Sequence, residues 1–239
     1  MFKKIGRIIL YLVLLFFVST IVSIIIFKWL PVRYTPLMTI RYFENINDKN
    51  FYTQKKWTPI EDISPNMLMA VIASEDNKFI NHSGFDWDAI DAALKHNKKS
   101  KRKRGASTIT QQVAKNVFLI SSRTWVRKGL EAYFTILIEF FWNKERIIEV
   151  YLNVIETGKG IYGVEAAAQR YFNKPARKLT REEAALIAAA LPNPRERNPA
   201  NPTAYMRQRQ QQIMRVMKQL GDIDVNTKNK KDEKIKKKK

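Results

Sequence analysis

"SPNMLMAVIASEDNKFINHSG", Ser64 to Gly84, is the stretch on which the fold turns. Ser64 is a good N-cap and Pro65 suits the first helical position, so a helix should begin there. Met67, Leu68, Val71 and Ile72 recur at helical spacing and give it a buried face. The helix should end near Glu75 and Asp76, placing an acidic pair directly after an apolar run. A helix C-terminus and apolar neighbours both disfavour a carboxylate's charge, which suits a group that must take up a proton. Taken alone, a glutamate at a helix end is usually a solvated surface residue.

Working outward, the helical period continues. A second helix is predicted from about Asp86 in "DWDAIDAALKHN", and another in "STITQQVAKNVFL". Thr124 caps the long apolar run "TWVRKGLEAYFTILIEFFW", and Asn143 opens the next helix. "TREEAALIAAALPNP" pairs Thr180 with Glu183 in a capping box and stops at Pro192. A last helix runs from about Asn201-Pro202 to Gly221. No segment shows sustained strand alternation with hairpin turns. The expected class is mainly α, with residues 61–221 as one domain. Residues 31–60, which hold Pro31, Pro36 and Pro59, read as a juxtamembrane connector with little regular structure. Residues 222–239 read as a disordered basic tail.

Ile8 to Phe27 is a run of 20 residues without a charge. As a helix it covers roughly 30 Å, the thickness of a bilayer's hydrocarbon core. "FKWLPVRY" beyond it offers no small-residue cleavage site, so residues 8–30 are expected to be an uncleaved transmembrane helix. Lys3, Lys4 and Arg7 place residues 1–7 in the cytoplasm and the large domain on the other side. The 43 Lys and Arg against 22 Asp and Glu imply an anionic partner. With the domain outside the cell, anionic lipids and phosphorylated substrates are expected and nucleic acid is not.

The chain has no cysteine and two histidines, His82 and His96, which leaves no His/Cys metal site of normal spacing. No nucleophile-elbow sequence accompanies either histidine. Carboxylates are the remaining chemical groups.

Four stretches then occur in order. "EDNKFINHSG" supplies Glu75, Asp76, Phe79, His82 and Gly84. "GASTITQQ" supplies Gly105, Ser107, Thr108, Ile109, Gln111 and Gln112. "RKGLE" supplies Arg127, Lys128 and Glu131, and "YLN" is Tyr151, Leu152 and Asn153. Together they resemble the peptidoglycan glycosyltransferase family, over roughly residues 60–220. Ala106 departs from the second glycine that many relatives carry there.

The resemblance implies a lysozyme-like, mainly α domain in the bacterial inner membrane, with its catalytic side in the periplasm. It implies polymerisation of lipid II into β-1,4 glycan, with inversion at the donor carbon and release of undecaprenyl pyrophosphate. Glu75 would be the general base and Glu131 the second catalytic carboxylate. Ser107, Thr108, Gln111, Gln112, Lys115, Arg123, Arg127 and Lys128 would bind substrate. No cofactor is required, although a divalent cation such as Mg2+ at Glu131 would be consistent. Partners would be lipid II, the growing lipid-linked glycan, membrane lipids and other cell-wall synthesis proteins. His82 should brace its loop, and Tyr151 and Asn153 should be structural. A glycan-cleaving enzyme and a basic, membrane-anchored binding module are the alternatives.

Overall fold

The computed structural model of the chain describes residues 2–49, 51–100, 104–120, 122 and 124–221. The basic tail, residues 222–239, lies outside the described residues, as do 101–103 of the lysine-rich run.

The protein is mainly helical. α1 (Phe2–Trp29) leads into α2 (Pro36–Glu44) and a short strand, β1 (Gln54–Lys55). α3 (Pro65–Glu75), α4 (Trp87–Lys99), α5 (Ile109–Phe118), α6 (Trp125–Phe141) and α7 (Lys144–Val154) follow. The hairpin β2 (Glu156–Gly158) and β3 (Ile161–Tyr162) precedes α8 (Val164–Phe172), α9 (Arg181–Ala190) and α10 (Ala204–Leu220).

The caps expected at Ser64, Thr124 and Thr180 hold, and so does the helix start at Asn143. These residues, with Asp86 and Thr108, each accept a backbone N–H of the first turn of their helix. Each such cap contributes about 1 kcal/mol. The alanine-rich α9 buries Ala184, Ala185, Ala188 and Ala189, and these small side chains let α3 and α10 pack closely on it. α5 packs on α6 and α7, and one hydrophobic core runs through both groups. α3 therefore delivers Glu75 from one group to the edge of the other.

Two expectations need correction. Residues 31–60 are not irregular. Thr35 caps α2, Pro36 occupies its first turn, and Met38 is buried beneath it. The chain also holds a small sheet of order β1-β3-β2, parallel between β1 and β3 and antiparallel between β3 and β2. Its strands are two or three residues long, too short to show a period of two in sequence.

α1 is more than an appendage. Its C-terminal part packs on α6. Thr20 and Tyr133 share a hydroxyl–hydroxyl hydrogen bond of 2.8 Å, and Trp142 Nε1 donates to the Ile24 carbonyl at 2.9 Å. Phe16 and Phe17 stack around Tyr133, and Phe27 meets Phe118. Past the apolar run, Arg146 donates to the carbonyls of Phe27 and Leu30, and Lys55 to those of Val32 and Arg33. Carbonyls at and just past the helix end, those of Phe27, Leu30, Val32 and Arg33, thus meet cations from later in the chain.

Candidate active site

α3 ends at Glu75, and the next residue faces inward. Asp76 is buried, takes a hydrogen bond of 2.9 Å with His82 Nε2, and accepts the Ile109 N–H at 3.1 Å. A carboxylate at the N-terminus of α5 complements the positive end of that helix. The Thr108 hydroxyl donates to the Gly84 carbonyl at 2.7 Å, tying the same loop to the same helix end. Gly84 has φ +86°, and a Cβ there would stand 2.6 Å from Thr135 Cγ2 of α6. The acidic-aromatic-histidine-glycine stretch is thus a clasp between α3, α5 and α6.

The clasp aims Glu75 at α5. Gln112 Nε2 donates to Glu75 Oε2 at 2.9 Å, and the Ser74 hydroxyl donates to Oε1 at 3.3 Å. Behind Gln112 stands Tyr151, fully buried, with its hydroxyl 3.4 Å from Gln112 Oε1. Burial, and then the negative charges of Glu75 and Asp76, push the Tyr151 hydroxyl well above the ordinary tyrosine value. Tyr151 therefore keeps its proton and can donate to the Gln112 oxygen, while the Glu75 carboxylate, which only accepts, selects the Gln112 NH2.

One helical turn beyond Gln112 the surroundings become cationic. Glu131 is 3% exposed on α6; Arg127 donates to one of its oxygens at 2.6 Å and Lys128 to the other. Lys115 joins the two halves electrostatically. Crowding of its ammonium by protein atoms lowers its pKa first, and Arg127 and Lys128 act the same way; Glu131 and Glu75 oppose them. Its side chain still reaches solvent from the exposed face of α5, so the charge remains available to a ligand.

The structure sorts the expected residues. Glu75, Gln112, Lys115, Arg127, Lys128 and Glu131 come together along α5 and the first half of α6. Ser107 is exposed just before α5. Thr108 and Gln111 are both buried and form the reciprocal capping box of α5, which engages the Thr108 hydroxyl and the Gln111 amide oxygen. Arg123 lies outside the described residues.

Glu131 does not suit a divalent cation. Both of its oxygens are taken by cations, and among the described residues no three His, Asp or Glu side chains gather to hold a metal.

Some working residues were not foreseen. Glu139 and Lys144 form a buried ion pair of 2.7 Å, joined by the Thr110 hydroxyl at 2.6 Å, with Lys144 over the Phe79 ring. A lone glutamate inside "ILIEFF" was the available signal, because an isolated charge in an apolar helix needs a partner. Arg209 of α10 reaches the Ser74 carbonyl at 3.4 Å, beside Glu75; nothing local in the sequence marks it.

A family model described as Transglycosylase matches residues 41–218. A biosynthetic peptidoglycan transglycosylase of Bacteroides thetaiotaomicron is 52% identical over 99% of this chain and 97% of its own length. One of Bdellovibrio bacteriovorus is 55% identical over 84% of this chain and 81% of its own. One of Pseudomonas putida is 51% identical over 87% of this chain and 89% of its own.

Proposed function

The chain belongs to the transglycosylase family, and on that footing we propose that it polymerises lipid II into β-1,4 glycan at a membrane surface, with Glu75 as the general base. The observation that carries this reading is Glu75 held by Gln112, with Lys115 coupled electrostatically both to Glu75 and to the Arg127–Lys128–Glu131 cluster.

The division of labour follows from charge. The 4-hydroxyl of an acceptor sugar attacks C1 of the lipid-linked donor from the face opposite the leaving group, inverting that carbon. As the new C–O bond forms, the hydroxyl proton passes to Glu75. The bond from C1 to the diphosphate oxygen breaks, and its electron pair leaves with undecaprenyl pyrophosphate. Cations already in place at the departing diphosphate stabilise charge that develops in the transition state. Glu131 positions two of these cations and takes no proton. Lys115, which Glu131 does not bind directly, is free to meet the diphosphate.

The N-terminal helix supports placement at the bilayer. α1 has the length and apolar composition of a membrane span. Tyr133 meets α1 at Thr20, and α6 exposes Ile136 and Phe140, apolar side chains suited to contact with lipid beside α1. A polyprenyl tail would then stay in lipid while its sugars reach the site. We place the site on the periplasmic side of the bacterial inner membrane, residues 1–7 in the cytoplasm, and the catalytic domain over residues 61–221, with other cell-wall synthesis proteins as partners.

The test is lipid II polymerisation by wild type, Glu75→Gln and Glu131→Gln, with and without magnesium. Glu75→Gln should lose two or more orders of magnitude in rate. Full chain growth by Glu75→Gln would sink the reading. An enzyme that cleaves finished glycan but leaves lipid II untouched would sink it as well.

A further inference from the structure

A second feature lies where α1 leaves the membrane. A cleft of about 460 Å³ is lined by Arg33, Tyr34, Met38, Thr53, Lys55 and Trp57. It shares no residue with the Glu75–Glu131 site. Its lining contains two cations and no acid.

Those cations are under-used. The Arg33 guanidinium has no hydrogen-bond or ion-pair partner among the described residues. The Lys55 ammonium gives two N–H groups to the Val32 and Arg33 carbonyls, while in the remaining direction it meets only Met38 Sδ at 4.0 Å, a weak acceptor. Trp57 forms a fixed wall, held beneath the Arg146 guanidinium with 5.1 Å to the ring centroid. Tyr34 stands 82% exposed at the rim, an aromatic of the kind that settles at headgroup level. Arg33 follows the last residue of α1 by four positions, which sets the cleft at the depth of lipid phosphates.

We propose that this cleft binds the phosphate of an anionic phospholipid headgroup, at a site separate from the reaction site. The acyl chains would lie along the exposed apolar side chains of α1, and the phosphate would rest between Arg33 and the free side of Lys55. Two cations with no acid favour a headgroup of net negative charge over a zwitterionic one. Burial without an acidic partner pushes the Lys55 ammonium down to about 8. A phosphate in the cleft supplies the missing counter-charge.

The inference rests on the reading that α1 spans a bilayer, and the experiment separates the two. The full chain is placed in nanodiscs of mixed phosphatidylglycerol and phosphatidylcholine, and co-retained lipids are counted by native mass spectrometry. Wild type should retain one phosphatidylglycerol in preference to phosphatidylcholine. Arg33→Gln, which breaks no bond of the fold, should weaken retention roughly fivefold, and Lys55→Met added to it should abolish the preference. Equal retention by wild type and both variants overturns the site. Preferential retention of an added polyprenyl diphosphate, lost in Arg33→Gln, overturns the phospholipid assignment. Failure of the chain to enter the discs overturns the membrane reading itself, and shows as protein carrying no lipid.

Discussion

Gln112 Nε2 and Glu75 Oε2 are 2.9 Å apart, and the Tyr151 hydroxyl donates to the other end of the same amide. The proposed base is thereby held through Gln112 by a buried tyrosine on another helix.

Removing that donor should slow the reaction without weakening substrate binding. A hydrogen bond to a charged group is worth about 1.5–3 kcal/mol, so Gln112→Ala should lower kcat by about ten- to a hundredfold. Tyr151→Phe should give a smaller loss of the same kind, because it frees the amide to turn. Steady-state lipid II kinetics decide the matter: a rise in KM at constant kcat would make Gln112 a substrate contact instead.

The buried pair Glu139–Lys144 should behave as a unit. Both side chains are under a tenth exposed. Lys144→Met strands a buried carboxylate, and Glu139→Gln strands a buried ammonium. Each should cost about 3–5 kcal/mol. The double variant should cost less than the sum of the two, since it removes both charges. Denaturant unfolding of the four proteins measures the coupling.

Gly84 should tolerate no side chain. Gly84→Ala adds a Cβ 2.6 Å from Thr135 Cγ2 at a backbone φ of +86°. The loss should be about 1–3 kcal/mol from backbone strain, with the clash added. Thr135→Ser removes the offending methyl, so it should restore the clash component and leave the strain. A thermal melt of the single and double variants tests this.

Lys55 should give stability a pH dependence. Its folded pKa of about 8 lies below the ordinary 10.5. Between these values the unfolded chain binds more protons, so this residue's contribution to stability rises with pH through that window and is lowest below about 8. In zwitterionic detergent, Lys55→Met should remove that part of the slope of melting temperature against pH.

Sequence went furthest where a signal is local. Ser64-Pro65, Thr124, Asn143 and the Thr180–Glu183 pair announce helix starts through side chains within three residues of the backbone they cap. The helical class was legible for related reasons, whereas the grouping of Glu75, Lys115 and Glu131 was an expectation from the family resemblance of the four motifs. The capping box of Thr108 and Gln111 was not foreseen, because a capping box and a substrate contact call for the same polar atoms. α2 hid behind Pro36, read as a breaker although Thr35 before it makes it a helix start. The sheet and the Arg146, Lys55 and Arg209 contacts depend on residues far apart along the chain, which no period or spacing records.

The join between α1 and the large domain has a mechanical corollary. Thr20, Ile24, Phe27 and Leu30 are each bonded to α6, its C-cap Trp142 or α7. On the proposed placement of α1 in a bilayer, helix and domain would drift as one body, without the swing of a ball on a rope. The proposed polymerisation would then leave the travel needed for repeated turnover to the product.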